Sequence, residues 1–359
     1  MIVLLSSLAP SIKNVEYWRS NYSLSADYTE FNPRAISKDT AKYYTLGLTL
    51  DGNRAMFDAT GDTIYMDRCL YYVNTIINDA QLSSSFSTSQ YKDGYLTWLN
   101  LTNASPPSIL NTEVILHQTY CFRYVCMIAD SIITRGLTGS YLTQYNAILA
   151  FVERNIWQKW YSRGLKDVLY RNVIHISAHT AIIADFLRRR SSNPTIVAQA
   201  TTVQANIDHV GISYYGNSHM RSQFVTHAAD PRAVFWNMYW NNYTSKPAEP
   251  YGSDTSHGAA VLSYLIPILE RGYGDWTIED MVRFMWLFKL LYINGNSAYN
   301  WLAGASGTAI YSPMNINDGF NKLGRFFPEV QLMIENVTSA RNSQYWGNGA
   351  LNAKRLLGL

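Results

Sequence analysis

The residues with the clearest potential for chemistry lie in the segment YGSDTSHG at 251–258. Tyr251, Asp254 and His257 fall within seven residues, directly before an apolar stretch with helical spacing. Asp254 is a suitable N-cap for that helix, and His257 would then lie in its first turn. The positive end of the helix dipole favours a neutral imidazole there, which can accept or donate a proton. The segment predicts either a site of proton transfer or a plain cap beside a buried histidine.

A second set of polar residues occurs in RNVIHISAH at 171–179. Asn172, His175 and His179 share one helical face, and they would either line an internal cavity or form satisfied hydrogen bonds in the core. The spacing of the two histidines can also hold zinc, but no HExxH motif and no third ligand is near. We therefore expect no metal and no cofactor.

Several further side chains have both a functional and a structural interpretation. Glu113 and His117 lie four residues apart on a predicted helix, so they form a structural pair or face a shared cavity. Aromatic rings suit sugar faces, and they equally suit a core. The candidates for stacking on a sugar are Trp98, Trp236, Tyr239, Trp240 and Tyr243.

Charged candidates are less specific. An arginine can bind a substrate carboxylate with two parallel hydrogen bonds, but arginines more often form structural ion pairs. The candidates are Arg221, Arg232 and Arg325. A glycosidase would need two facing carboxylic acids, for which the candidates are Asp93, Asp254 and Asp318.

The composition of the 359 residues limits the function classes. Hydrophobic residues make up 47%, whereas charged residues make up only 15%, below the usual quarter. The net charge of +3 lacks the clustered basic residues of a nucleic-acid-binding protein. Neither Walker A, GxGxxG, GxSxG nor HExxH occurs, and no apolar stretch is long enough to span a membrane. Three cysteines make no disulfide framework.

Helical periodicity dominates the chain and predicts about ten helices. Their ranges are 40–58, 63–79, 109–136, 140–161, 164–190, 194–208, 231–241, 257–271, 277–293 and 326–340. Only 212–216 and 308–312 suggest short strands. Helices joined by short loops pack as antiparallel neighbours, so we expect a mainly α single domain over 1–359, built as a toroid of helical hairpins.

Four segments resemble the (α/α) toroid enzymes that act on polysaccharides, which include glycoside hydrolases and uronate-cleaving polysaccharide lyases. The segments are ATGDTIYMDR at 59–68, KDGYLTW at 92–98, DTSHGAAVLSYL at 254–265 and YGDWTIEDMVRF at 273–284. The arrangement covers most of the chain, and the motifs cover about a sixth of it. Lyases on this scaffold use Asn, His, Tyr and Arg.

From that resemblance we expect a polysaccharide lyase that cleaves a uronic-acid-containing glycan by β-elimination. His257, Asn172 and His175 would bind the substrate carboxylate or act as base, with Tyr251 or Tyr239 as base and acid. The expected substrate-binding residues are Arg325, Trp98, Trp236, Trp240, Asp254, His179 and His117.

The expected partner is an anionic polysaccharide or oligosaccharide, with no nucleic acid and no membrane span. The expected location is extracellular or periplasmic, including association with a particle. The alternatives are a glycoside hydrolase on the same scaffold and a non-catalytic carbohydrate-binding or adhesion module.

Overall fold

The structure of the chain, a computed structural model, describes residues 11–240, 252–304, 310–311, 318–339 and 341–359. These residues are mostly helical. The first seven helices are α1 Val15–Asn21, α2 Leu24–Ala35, α3 Thr40–Thr60, α4 Thr63–Asn78, α5 Ile115–Thr134, α6 Ser140–Phe151 and α7 Lys159–Arg163. The others are α8 Ile174–Arg190, α9 Pro194–Ala205, α10 Thr255–Glu270, α11 Ile278–Leu291, α12 Gly319–Lys322, α13 Pro328–Glu335 and α14 Ser343–Leu357.

Six of these helices form a closed inner ring. Neighbours pack against each other in the order α3, α5, α8, α10, α12 and α14, and α14 packs against α3 to close the ring. Helices outside the ring cover it: α4 packs on α3, α6 on α5, α9 on α8 and α13 on α14, while α1 and α2 cover the joint between α14 and α3. The predicted helical toroid is confirmed.

Burial explains which helices are inner and which are outer. The inner helix α10 is buried on almost every side from Gly258 to Ile268, whereas the outer helix α4 buries one apolar stripe and exposes the opposite face. A helix buried all round must lie in the interior, and an amphipathic helix covers it. Asp39 caps the start of α3, and Gly61, in the left-handed conformation at φ 76°, ends it.

The ring closes through an unusually close approach of two helices. A Cβ on Gly347 of α14 would lie 1.9 Å from the carbonyl oxygen of Gly52 on α3, and a Cβ on Gly52 would lie 2.3 Å from the backbone of Ser343. Only hydrogen fits at these positions. The two glycines therefore set the distance between the first and last inner helices.

Short strands lie in the loops between helices. They pair antiparallel as β1 Gln81–Leu82 with β2 Leu96–Thr97, β3 Val225–Thr226 with β4 Val234–Phe235, and β5 Tyr292–Asn294 with β6 Ser297–Tyr299, which also pairs with β7 Ile310–Tyr311. The helix predicted over 231–241 is wrong, because β4 occupies part of it and pairs with β3. β-branched and aromatic residues suit such a ladder.

Other differences are local. The segment 212–216 forms a single 3-10 turn, Ser213–Tyr215, ended by the left-handed Gly216, instead of a strand. In 308–312, the described part, Ile310–Tyr311, is the strand β7. Cys69, Cys121 and Cys126 are buried free thiols. Among the described residues, no helix combines the length and apolarity needed to cross a bilayer.

Candidate active site at the amino-terminal mouth of the ring

All inner helices run in the same direction, so that their amino termini meet at one mouth of the ring. A cavity of about 190 Å³ lies there. It is lined by residues from the starts of the inner helices: Tyr44, Leu48, Tyr120, His175, His179, Ser256, His257, Ala260, Asp318 and Gln344. Helix amino termini carry partial positive charge, and this mouth therefore favours carboxylates and neutral imidazoles.

Asp254 orients His257 at the start of α10. Its Oδ1 accepts the backbone N–H groups of Ser256 at 3.0 Å and His257 at 3.1 Å, as an N-cap should. Its Oδ2 accepts a short hydrogen bond from Nδ1 of His257. Burial raises the pKa of Asp254, but the hydrogen bonds from His257 and Ser256 outweigh it and lower this pKa to about 2. With Nδ1 held by the carboxylate, Nε2 of a neutral His257 is left as a proton acceptor.

His175 and His179 provide hydrogen-bonding groups that have no partner. The ring of His175 stacks on that of His257 with centroids 3.9 Å apart, and both of its nitrogens are buried without a hydrogen bond. Nη1 of Arg123 donates to Nδ1 of His179 at 3.1 Å, which assigns the proton of His179 to its unpartnered Nε2. Burial lowers the pKa of both histidines well below the ordinary value, so both are neutral at pH 7.

Asp318 is the carboxylate that lines the cavity. Arg123 donates to it at 2.6 Å, Tyr124 at 2.7 Å and Ser263 at 2.6 Å, and Lys322 and Gln344 also reach it. Burial raises the pKa of Asp318, but the charges of Arg123 and Lys322 lower it further than burial raises it. Asp318 is therefore ionised, and its charge is distributed over many donors.

The aromatic wall of the cavity is formed by tyrosines. The rings of Tyr44 and Tyr120 lie 4.2 Å apart at 30°, and burial raises the pKa of both hydroxyl groups. These hydroxyls therefore stay protonated. Sequence pattern gives no sign of Tyr44, Tyr120 or Arg123, which lie within predicted helices, or of Gln344, which lies in α14, a helix that was not predicted. Only the ring brings these residues together.

Two further depressions adjoin this cavity. The first, of about 850 Å³, shares Tyr44 with it and includes His117. The second, of about 420 Å³, shares His117 and Asn103 with the first and extends to Trp160 and Arg171. We call these two depressions the mouth groove. Burial lowers the pKa of His117 to about 4, and its Nδ1 lies 3.3 Å from Thr40.

The structure brings His175, His179, His257 and Asp254 together, but Asn172 and Tyr239 are not among the residues that line the cavity. Asn172 precedes α8, and its carbonyl accepts the backbone N–H of Trp240. Tyr239 forms an isolated bridge with Val173. Tyr251 and Tyr243 lie outside the described residues.

The expected stacking of a sugar on the tryptophans is wrong. Trp98, Trp236 and Trp240 are at most 2% exposed, so no face is left for a sugar. Trp98 donates to the carbonyl of Ile76 and Trp240 to that of Arg171, both at 2.9 Å. Their size and apolarity place all three in the core, where the indole N–H of Trp236, unlike the other two, has no acceptor.

The other expected arginine and acidic side chains form structural ion pairs. Arg325 lies at the opposite end of the ring, bound to Glu270 at 2.9 Å and to Asn348 at 2.8 Å. Glu113 does not pair with His117 but binds Arg163, which also binds Asp93. Arg221 pairs with Asp280, and Arg232 pairs with Asp230. Among the described residues, no three His, Cys, Asp or Glu side chains are arranged to hold a metal ion.

Comparisons with known proteins add two solved structures. One is an inactive variant of an alpha-1,6-mannanase of Salegentibacter sp. HEL1_6 in complex with alpha-1,6-mannotetrose, with 10% identity, 88% of this chain and 89% of that chain covered, and a TM-score of 0.44. The other is a family 76 glycoside hydrolase from a bovine Bacteroides thetaiotaomicron strain, with 9% identity, 88% and 68% covered, and a TM-score of 0.40. No family model and no curated protein matches the sequence.

The expected lyase activity is wrong, and the chemistry of the cavity gives the reason. A uronate carboxylate needs cationic partners, but His175 and His179 are neutral and Arg123 is already paired with Asp318. The ionised Asp318 would repel a second carboxylate. The tyrosine hydroxyls, with raised pKa values, are poor bases.

Proposed function

We propose that this chain is a glycoside hydrolase that acts on a neutral oligosaccharide or polysaccharide at the amino-terminal mouth of the ring. The observation that carries the proposal is a set of buried ring nitrogens without a hydrogen-bond partner in two histidines that line the cavity: both nitrogens of His175 and Nε2 of His179. A buried polar atom without a partner costs about 1–3 kcal/mol. Sugar hydroxyls, which both donate and accept, would satisfy these atoms.

The cavity also offers groups with suitable roles for hydrolysis. His257, held by Asp254, can take a proton from water through Nε2. The ionised Asp318 can stabilise the positive charge that develops on the sugar ring in an oxocarbenium-like transition state. Tyr44 and Tyr120 keep their hydroxyl protons and can donate a hydrogen bond to the leaving oxygen, which takes its proton from solvent. The cavity is smaller than the roughly 300–1,000 Å³ of drug-sized sites and suits one sugar unit, with the mouth groove for the rest.

A non-catalytic carbohydrate-binding role is the second candidate. It is favoured by the five donors around Asp318, because a carboxylate so fully bound is a weak nucleophile. Both candidates share the same binding site and differ only in turnover.

Incubation with a panel of neutral glycans, beginning with alpha-1,6-linked mannan, separates the two candidates. We expect new reducing ends with the native protein, at least 100-fold fewer with His257→Ala, and native activity with the control His209→Ala, whose side chain is 39% exposed outside the cavity.

Binding measured on the same glycans completes the test. Binding without reducing ends, lost in His175→Phe, would leave the binding module and reject the hydrolase. If no neutral glycan binds or is cleaved, the whole proposal is wrong.

A further inference from the structure

A second cavity lies at the opposite mouth of the ring, where the inner helices end. Tyr44 of α3 lines the active-site cavity and Asp58 lines this one. The fourteen residue steps from one to the other span about 21 Å at 1.5 Å per residue. Tyr120 and Arg135 are separated in the same way by α5, and His257 and Glu270 by α10. The two cavities therefore occupy opposite ends of the ring.

The side chains that line this cavity are mainly cationic. It measures about 330 Å³ and contains Arg54, Arg135, Arg325, Lys354 and Arg355. The only carboxylate side chains among its lining residues are those of Asp58 and Glu270. Counted over the lining side chains alone, five cations and two carboxylates give +3. We call this set the basic cavity.

Helix dipoles explain part of this charge but not all of it. Cations stabilise helix carboxyl termini, and two of the five have carboxylate partners of their own: Arg54 binds Asp51 and Asp58, and Arg325 binds Glu270. Pairs such as these are complete without a ligand. They account for the buried half of the basic cavity.

The other half of the basic cavity, formed by Arg135, Lys354 and Arg355, has fewer carboxylates than cations. Asp58 must serve Arg135 as well as Arg54. Lys354 reaches only the backbone carbonyl of Asp58, at 3.1 Å, and in the described part of the chain no carboxylate lies within ion-pair distance of Lys354 or Arg355. Burial and the charges of Arg135 and Arg355 both lower the pKa of Lys354.

We propose that the basic cavity binds a phosphate or sulfate group, independently of the proposed activity at the other mouth. A tetrahedral oxyanion accepts two parallel hydrogen bonds from a guanidinium and a further bond from an ammonium, which Arg135, Arg355 and Lys354 can supply. The buried Nε–H groups of Arg54 and Arg325 also lack acceptors. Bound there, the anion would neutralise the excess charge at the helix carboxyl termini.

Calorimetric titration of the full chain with inorganic phosphate and with sulfate tests this proposal. We expect saturable binding, a phosphate-dependent rise in Tm, and at least a tenfold weaker affinity in Lys354→Ala/Arg355→Ala. The matched control is Arg154→Ala/Lys166→Ala, which removes two exposed cations outside the cavity and should bind as the native chain does. Chloride at equal ionic strength should not compete.

Two further arms make the result decisive. Arg355→Glu changes an exposed residue, so it tests the charge even if the double variant does not fold, and it should abolish binding. A sugar phosphate that binds more tightly than inorganic phosphate supports a soluble ligand, whereas binding to vesicles that contain phosphatidic acid supports a lipid headgroup. The proposal is overturned if neither phosphate nor sulfate shows saturable binding. It is also overturned if both variants bind with native affinity.

Discussion

At the scale of single residues, Asp254 has two separable tasks. One oxygen caps α10 through two backbone N–H groups, and the other holds His257. Asn is as good an N-cap as Asp, but its amide provides no charge for the imidazole. The two tasks can therefore be measured with two substitutions at one position.

We predict that Asp254→Ala destabilises the protein more than Asp254→Asn does, by about 1 kcal/mol for the lost cap. Both variants should lose activity, since both lose the charged partner of His257. Urea unfolding and reducing-end assays would measure the two effects. The control is Asp62→Ala at the half-buried N-cap of α4, which should lower stability without lowering activity. Equal stability of the Ala and Asn variants would contradict the capping role.

The same carboxylate predicts an acid dependence. The pKa of Asp254 is lowered to about 2, against about 3.9 in an unfolded chain. The stability that it contributes, about 2 kcal/mol, is present above pH 4 and is lost as the pH falls towards 2. In Asp254→Asn this loss should be missing from the acid unfolding curve. An unchanged curve would mean that the carboxylate gains nothing from folding.

At the scale of secondary-structure elements, the contact between α3 and α14 leaves no room for a Cβ atom. Gly lowers helix propensity by about 1 kcal/mol relative to Ala, so a glycine kept inside α14 needs a steric reason. The 1.9 Å separation between a Cβ on Gly347 and the carbonyl oxygen of Gly52 is that reason.

We predict that Gly347→Ala lowers the free energy of unfolding by about 1–3 kcal/mol or more, because backbone cannot yield as a side chain can. Propensity alone would predict a gain, so the sign of the change decides between the two effects. Gly94→Ala serves as the control, since a Cβ there meets nothing within 4 Å and should be nearly neutral. Chemical denaturation of both variants would measure the difference.

At the scale of the whole molecule, the ring buries histidines in their neutral form. Burial lowers the pKa values of His117, His175 and His179, that of His117 to about 4. In the unfolded chain these residues titrate near 6.5. Between that pH and the folded pKa values the unfolded chain binds more protons, so acidification favours unfolding.

We predict that the free energy of unfolding falls below pH 6.5 by up to about 4 kcal/mol per pH unit, since each histidine contributes about 1.4 kcal/mol. Denaturation from pH 8 to pH 5 would measure this slope. His175→Phe, which preserves the stacking on His257, should reduce the slope by about a third. A stability that stays flat from pH 7 to pH 5 would mean that these histidines are protonated in the folded state.

Local pattern determined much of this protein. Apolar periodicity located most helices, and the capping residue Asp254 marked where α10 begins. The spacing of His175 and His179, and the segment that contains His257, identified part of the cavity in advance. These features depend on interactions within a few residues, which a sequence displays directly.

Only the tertiary structure decided which residues meet. Asp318 and Arg123 are 195 residues apart and form one ion pair, and α14, weakened as a helix by its glycines, proves to be the member that closes the ring. The same packing buries Trp98, Trp236 and Trp240 and carries Arg325 to the opposite mouth. Closing the ring depends on contacts between distant parts of the chain. These contacts override local propensity, because the free energy of burying side chains exceeds the helix propensity of any single residue.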